Sequence, residues 1–285
     1  IILFWAERGV RIFRVDNPHT KPVAFWEYLI AKVQAKFPDT IFLSEAFTRP
    51  KMMKALAKAG FTQSYTYFTW RTEKAELAEY FTELTQTEMS EYFRGNLFTN
   101  TPDILPLHLQ AGGRPMFQIR AVLAATLSSL YGIYSGFELC ENAALPGREE
   151  YYDSEKYQLM ERDWDAPGNI KGLITRLNRI RRENRALHFY DNLRFHPVAN
   201  DQLLFYSKMT PARDSIILVV VNLDPLYTQS GYVEAPIEDF GEIGGESYEV
   251  QDLLTDVSYI WHGKQNYVAL HPGLQAAHIF RVRRL

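Results

Sequence analysis

The sequence contains two short apolar stretches that end in acids, GVRIFRVDNPHTKP at residues 9–22 and IFLSEAFTRP at residues 41–50. Each joins β-branched or aromatic residues and then breaks at polar residues and a proline, which is typical of a short buried strand. Asp16 ends the first run and Glu45 ends the second, and apolar residues recur at helical spacing between them. The pattern predicts strand, helix, strand, with an acid at each strand's carboxyl end, where α/β barrels carry their functional residues.

The charged residues around Asp16 predict sugar chemistry. Arg14 and Asp16 are two positions apart, so on an extended strand their side chains leave from the same face. A neighbouring guanidinium keeps an aspartate ionised, as a carboxylate nucleophile requires. A third acid, Asp103, lies in the strand-like stretch at residues 97–105, LFTNTPDIL, just past the end of its strand. Three carboxylates on three strand ends suit glycosidic chemistry, in which a nucleophile and an acid/base flank the scissile bond.

The motifs FRVDN, FLSEAFTRP and NTPDI resemble three conserved regions of the α-amylase superfamily, glycoside hydrolase family 13. The residues of the three motifs together are most similar to those of its maltose-1-phosphate maltosyltransferase branch. The resemblance implies a retaining bacterial glycosyltransferase of glycogen biosynthesis, which moves maltosyl units from α-maltose 1-phosphate to α-1,4-glucans. It implies that Asp16 is the nucleophile, Glu45 the acid/base and Asp103 a third carboxylate that grips the donor sugar. Amylases usually have histidine directly before this aspartate, whereas this chain has Pro102, as the maltosyltransferase branch does.

The resemblance also implies residues that contact the substrates. These substrate-binding candidates are Asn17, His19, Lys21, Asn100, Lys156 and Tyr157. Asn17 is expected to contact the phosphate, because an amide and a nearby cation suit an anion. His19 and Lys21 could equally bind the acceptor glucan, and Lys21 could be a solvated loop lysine. Lys156 and Tyr157 match the family's EKY motif, which holds the far glucose of the maltosyl unit. No metal site and no cofactor are predicted.

Composition limits the classes of partner. The net charge of −3 favours neither nucleic acid nor anionic membranes, and no apolar run is long enough to cross a bilayer. The single cysteine, Cys140, excludes an internal disulfide and fits a reducing compartment. We therefore expect a cytoplasmic enzyme with no nucleic-acid or membrane partner, and the resemblance implies a homodimer for the full-length protein.

The order of elements predicts an α/β fold class: the carboxyl-terminal part of a (β/α)8 barrel, about its strands four to eight, followed by an all-β antiparallel sandwich. The barrel part is predicted at residues 1–187 and the sandwich domain at 188–285. Barrel strands are expected at residues 10–15, 41–44, 61–70, 96–99 and 131–135. Sandwich strands are expected at residues 192–197, 203–208, 216–222, 231–235, 247–251, 259–261, 267–270 and 276–282.

Two other functions remain open at this point. One is an α-amylase-type glucan hydrolase that uses the same carboxylates, which Asn17 and the NTPD loop argue against. The other is an inactive piece that only binds glycans or has a structural role. The chain begins inside the end of a helix, without methionine, so we expect it to be a fragment that lacks the first three βα units of the barrel.

Overall fold

Five short parallel strands form the first sheet of the structure, a computed structural model that describes residues 1–154, 159–243 and 246–285. The strands are β1 (Ile12–Asp16), β2 (Ile41–Glu45), β3 (Gln63–Tyr65), β4 (Gly95–Phe98) and β5 (Leu130–Gly132). Their order in the sheet is their order in the chain, and each neighbouring pair is parallel. Parallel neighbours need a crossover connection, and sequential order with such crossovers is how barrels are built.

Helices flank these strands in the chain: those between two strands supply the crossovers, the first helix precedes β1 and the last follows β5. They are α1 (Ile2–Ala6), α2 (Val23–Gln34), α3 (Pro50–Lys58), α4 (Lys74–Gln86), α5 (Met89–Tyr92), α6 (Leu107–Ala111), α7 (Gly113–Leu127) and α8 (Lys171–Glu183). The helix α2 buries Trp26, Ile30 and Val33, one stripe of an amphipathic helix, as its spacing predicts. From Met116 onward α7 is buried at almost every position, because it lies between the parallel sheet and the antiparallel strands described below.

One sequence-based strand prediction is too long. Residues 61–70 were expected to form one strand, but β3 has three residues and the chain then makes a 3-10 turn at Tyr67–Trp70. The turn is held by Arg120, which donates hydrogen bonds to the carbonyls of Phe68 and Arg71, so a tertiary contact overrides β propensity. The strand expected at residues 96–99 corresponds to β4, which ends at Phe98, and a bridge between Thr101 and Ile104 closes a tight turn around Asp103.

The carboxyl-terminal third of the described chain forms antiparallel strands. Its strands are β6 (Leu193–Phe195), β7 (Leu203–Met209), β8 (Ile216–Asn222), β9 (Gln229–Glu234), β10 (Ser247–Asp252), β11 (Ser258–His262), β12 (Gln265–Leu270) and β13 (Ala277–Arg283). Six form a sheet in the order β11-β10-β13-β8-β7-β6, and β12 pairs with β9. Each of the eight predicted runs therefore corresponds to a strand, with ends that differ by a few residues.

The strand β8 shows how the parallel and the antiparallel parts of the chain pack together. All seven of its residues are buried. Ile217, Val219 and Val221 contribute to the core that also contains α7 and α8, while Leu218 and Val220 contribute to the core against β9 and β12. Successive side chains of a strand point to opposite faces, so one strand supports both cores. No helix in the described ranges is long and apolar enough to cross a bilayer.

Candidate active site

The predicted acids Asp16 and Glu45 lie side by side. They are partners in the parallel register of β1 and β2, and both are the last residue of their strand. Because parallel strands end at the same edge of a sheet, both carboxylates lie at its carboxyl edge. This edge is the site that the sequence predicts.

Arg14 lies among the three predicted carboxylates. Its guanidinium nitrogens lie 3.7 Å from Asp16 Oδ1, 3.2 Å from Glu45 Oε1 and 3.8 Å from Asp103 Oδ2. The nearest of the three oxygens belongs to Glu45, whereas the sequence suggested pairing with Asp16. One cation therefore offsets the mutual repulsion of three acids that would otherwise disfavour ionisation.

Solvent exposure differs sharply between the two strand-end acids. The side chain of Asp16 is 71% exposed, whereas that of Glu45 is 7% exposed. Burial raises the pKa of Glu45, and the Arg14 guanidinium and the Asn17 backbone N–H offset this increase only in part. A carboxyl group with a raised pKa suits a general acid, and a solvated carboxylate suits a nucleophile.

Asn17 links the two acids. Its backbone N–H donates to the Glu45 carbonyl oxygen at 3.1 Å and lies 3.4 Å from Glu45 Oε2, while its side-chain amide donates to Asp16 Oδ1 at 3.0 Å. Asn17 adopts a left-handed conformation with φ of 44°, which asparagine tolerates better than most residues. The backbone turns sharply here, directly after the predicted nucleophile.

His19 and Lys21 follow in the next turn. The 3-10 turn Pro18–Thr20 is held by Trp26, whose Nε1–H donates to the Pro18 carbonyl at 2.8 Å. Within the described residues, Nδ1 of His19 is buried and has no hydrogen-bond partner. Lys21 lines a cavity of about 720 Å³ together with Arg14 and Asp16. Lys21 therefore lies in the same cavity as two of the predicted site residues, and His19 lies in the turn between Asp16 and α2.

Asn100 is buried beneath the Asp103 turn. Its amide nitrogen donates to the Tyr151 hydroxyl at 2.6 Å, and its oxygen accepts from the Tyr134 backbone N–H at 2.8 Å and from Thr99 Oγ1 at 3.1 Å. These contacts connect the Asp103 turn to the long segment after β5. The expected contact of Asn100 with substrate stays a prediction. Lys156 and Tyr157 lie outside the described residues.

Sequence reasoning missed a group of aromatic rings beside the acids. Tyr65, the last residue of β3, stacks on Phe98 with ring centroids 4.4 Å apart, and the Arg14 guanidinium lies 6.0 Å from its ring centre. Burial raises the pKa of Tyr65, so its hydroxyl stays protonated. The signal that could have identified it is its position at a strand's carboxyl end, which the overlong strand prediction at 61–70 concealed.

No cluster suited to a metal ion occurs among the parts of the chain that the structure describes. No group of three or more His, Cys, Asp or Glu residues is placed to hold one there. The arrangement as built offers acids, an arginine and aromatic rings, which are the groups that bind and cleave sugars.

Relatives of known name match almost the entire chain. A maltosyltransferase from Rhodospirillum rubrum, named α-1,4-glucan:maltose-1-phosphate maltosyltransferase, is 59% identical over 282 residues, which cover 99% of this chain and 41% of the relative. The protein of the same name from Pseudomonas aeruginosa is 53% identical, covering 100% of this chain and 43% of the relative. This chain is homologous to these maltosyltransferases. The resemblance predicted from the motifs is confirmed, and the chain spans about two fifths of the length of the curated relatives it matches.

Two further comparisons agree. Residues 195–282 match a family model described as "GLGE, C-terminal". Among solved structures, an α-amylase from Geobacillus thermoleovorans aligns with a TM-score of 0.78 at 16% identity, covering 99% of this chain and 62% of that one. An Anoxybacillus α-amylase aligns with a TM-score of 0.70 at 15% identity, covering 99% and 61%. These structural likenesses confirm the predicted fold class, part of a (β/α)8 barrel followed by an antiparallel β-sandwich.

Proposed function

We propose that the full-length protein transfers maltosyl units from α-maltose 1-phosphate to the non-reducing end of α-1,4-glucans, with retention of configuration. The observation that carries the proposal is the convergence of Asp16, Glu45 and Asp103 on Arg14, in a chain whose relatives carry the maltosyltransferase name. Because the chain spans only part of those relatives, their activity and substrates are proposed for the whole protein.

The proposed reaction has two displacements. In the first, the Asp16 carboxylate attacks the anomeric carbon, the bond from that carbon to the phosphate oxygen breaks, and Glu45 gives its proton to the leaving phosphate. In the second, Glu45 takes the proton from the acceptor 4-hydroxyl, whose oxygen attacks the anomeric carbon and frees Asp16. The exposed Asp16 and the buried Glu45 with its raised pKa suit these roles.

The other site residues receive supporting roles. Arg14 offsets the repulsion among the acids, and Asp103 holds ring hydroxyls of the donor sugar. Asn17 contacts the phosphate, since its amide already touches Asp16. His19 and Lys21 bind the phosphate or the acceptor; Nδ1 of His19 is buried without a hydrogen-bond partner among the described residues, which supports a polar partner there.

A larger set of expectations belongs to the same proposal. By resemblance, Lys156 and Tyr157 hold the far glucose of the donor, and Asn100 contributes to the donor site.

We also propose a homodimer that acts in the cytoplasm without nucleic-acid or membrane partners, and a division of the chain at residue 187. The net charge of −3 is in keeping with neutral and phosphate-bearing sugars rather than polyanions.

The hydrolase alternative is less well supported. The α-amylase neighbours share about the same fold but only 15–16% identity, whereas the maltosyltransferases share 53–59%. A hydrolase would consume starch without needing a phosphorylated donor. Dependence on the donor therefore separates the two functions.

The test is phosphate release from α-maltose 1-phosphate, with and without a malto-oligosaccharide acceptor, by the full-length protein and by these 285 residues alone. We expect acceptor-dependent release, with chains that grow two glucoses at a time, and its loss in Asp16→Ala. Asp201→Ala, an exposed acid in the turn before β7, is the matched control and should keep full activity. Starch hydrolysis without phosphate release would overturn the proposal. Activity of the full-length protein alone would mean that segments outside these residues are required.

A further inference from the structure

A row of aromatic rings runs outward from the candidate acids. Phe47 lies two residues after Glu45, and its ring meets Tyr65 at 5.6 Å and Trp70 at 5.0 Å, both edge to face. Trp70 ends the 3-10 turn after β3 and is 37% exposed. A large apolar ring that stays accessible beside a polar site is a place where a ligand can pack.

The backbone on both sides of Trp70 is held from the interior. Arg120 on α7 is fully buried, and its guanidinium donates to the carbonyl of Arg71 at 2.8 Å and to that of Phe68. The same group lies 3.6 Å from the centre of the Phe68 ring. Among the described residues, burial alone acts on the charge of Arg120, with no carboxylate beside it to compensate. A buried cation is costly, and this one hydrogen-bonds the backbone of the turn that carries Trp70, which makes that turn rigid.

The indole ring itself is held by Glu149. Trp70 Nε1–H donates to Glu149 Oε2 at 3.0 Å, and the backbone N–H of Leu107 donates to Glu149 Oε1 at 3.0 Å. The Glu149 carbonyl also accepts from the Leu105 backbone N–H at 2.9 Å. One residue thus connects the turn after β3, the segment after Asp103 and the long segment after β5, and it restricts how the ring can rotate.

We propose that Trp70 is a stacking platform for a glucose unit of the incoming glucan, and that Glu149 is its positioning residue. The inference rests on the proposed function and names where the acceptor binds. An acid/base must reach the oxygen of the leaving group and later that of the acceptor, so rings adjoining Glu45 border the acceptor position. A glucan is neutral, whereas a phosphate group beside the Glu149 carboxylate would be repelled.

The experiment uses the full-length protein and four variants. Trp70→Ala removes the ring, Trp70→Phe keeps a ring without the N–H, and Glu149→Gln keeps one acceptor oxygen where two are needed. The control is Trp5→Ala, because Trp5 is 49% exposed on α1, which leads into the opposite end of β1. The measurements are KM for maltohexaose, KM for the donor, kcat, and tryptophan fluorescence during titration with maltohexaose alone.

We expect Trp70→Ala to raise the acceptor KM on the order of tenfold, since stacking on an aromatic ring contributes about 1 kcal/mol or more. The donor KM should stay within about twofold, a difference of less than about 0.5 kcal/mol. Trp70→Phe and Glu149→Gln should give smaller and similar increases, and Trp5→Ala none. The fluorescence change on titration should disappear in the Trp70 variants and persist in Trp5→Ala.

Three outcomes distinguish failure of the Trp70 inference from failure of the proposed function. An active protein whose acceptor KM is unchanged in Trp70→Ala would overturn the platform. Equal increases in both KM values in Trp70→Phe, a variant that keeps the packing ring, would also overturn it, because a purely structural role predicts them. If the unaltered protein releases no phosphate, the proposed function fails, and the fluorescence titration still decides whether Trp70 binds the glucan.

Discussion

At the scale of single residues, the site depends on different solvation of similar groups. Asp16 and Glu45 occupy paired positions on neighbouring strands, yet one is largely exposed and the other is buried. Arg14 contacts both and also Asp103. Two chemically similar acids therefore acquire separate properties from their surroundings, which is what acid/base and nucleophilic roles require.

Glu45→Gln is expected to abolish most activity and to stabilise the protein. Transfer should fall by about 10²–10⁴-fold, the usual contribution of a general acid/base. The folded-state pKa of Glu45 is raised by burial, so its contribution to stability is present at low pH and is lost as pH rises through that pKa. Glutamine stays neutral, so Tm should increase at neutral pH and be unchanged below about pH 4, where the glutamate is protonated in both states.

Thermal melts of both proteins across pH check this prediction. Glu91→Gln, at an exposed glutamate of α5, is the matched control and should show no such pH-dependent difference. The quantity tested is the Tm of Glu45→Gln minus the Tm of the unaltered protein. A difference that is smaller at neutral pH than at acidic pH would contradict the prediction.

Asn17→Gly separates the backbone of this residue from its side chain. Glycine adopts the positive φ of position 17 without strain and keeps the backbone hydrogen bond to Glu45. The variant loses the amide that is proposed to contact phosphate. We expect the donor KM to rise on the order of tenfold, as the loss of one hydrogen bond to a charged group implies, with little change in Tm.

The comparison variant is Asn17→Ala, which loses the amide and also strains the backbone, at a cost of roughly 1–2 kcal/mol. Its donor KM should match that of Asn17→Gly while its Tm is lower. A donor KM in Asn17→Gly equal to that of the unaltered protein would remove Asn17 from the phosphate site.

At the scale of elements, the strand β7 carries an unusual buried charge. All seven of its residues are buried, including Lys208, whose Nζ donates to the Phe189 carbonyl at 2.7 Å. Burial lowers the pKa of Lys208 to about 7, and the positive charge of Arg181 adds to this decrease, while Asp191 opposes it. The strand therefore contains a group that titrates near neutral pH in the folded protein.

Lys208→Met should change how stability depends on pH. The folded-state pKa of about 7 is below the value of about 10.4 in an unfolded chain, so the folded state binds fewer protons between them and stability rises with pH across this window. Methionine removes this titration. The Tm of Lys208→Met minus that of the unaltered protein should be largest at about pH 6 and smaller at about pH 9.

Lys51→Met, at an exposed position of α3, is the control for the loss of a lysine charge. In Lys208→Met the Phe189 carbonyl loses the hydrogen bond from Lys208. This loss changes the Tm difference by a similar amount at each pH, so the trend of the difference with pH tests the prediction. A difference that stays constant or grows between the two pH values would show that Lys208 does not titrate in this way.

At the scale of the whole molecule, the proposed division at residue 187 crosses a continuous core. Residues of α7 and α8 pack in one cluster with residues of β7, β8 and β13. Hydrogen bonds also cross the same boundary, among them Thr126 Oγ1 with Tyr206 OH at 2.6 Å and Arg281 Nε to Asn184 Oδ1 at 3.0 Å. The two parts therefore stabilise each other.

Residues 188–285 produced alone should not fold stably. Ile217, Val219 and Val221 would lose the face that covers them, and exposing each fully buried side chain of this kind costs roughly 1.5–3 kcal/mol. Circular dichroism melts and limited proteolysis should show no cooperative transition for this piece, and a single transition for residues 1–285. A cooperative, protease-resistant 188–285 with the same Tm as the longer chain would contradict this expectation.

Local patterns in the sequence were enough for most of the architecture. The alternation and turn residues after residue 187 indicated eight strands, and helical spacing indicated α2, because these periodicities are imposed within a few residues along the chain. The same reasoning failed at residues 61–70. There the turn at Tyr67–Trp70 depends on Arg120, some fifty positions later in the chain, and no local propensity encodes that contact.

Acids at the ends of neighbouring strands of a partial barrel could be predicted from the residues alone, since residue type and strand position are local properties. Three short motifs were also enough to indicate the family that the chain resembles. Three features could not be predicted in this way: Arg14 reaches Asp103 as well as Glu45, Glu45 is buried while Asp16 is not, and Trp70 Nε1–H donates to Glu149. These features arise from contacts between distant segments and from the removal of water around particular groups, and both exist only once the chain has folded.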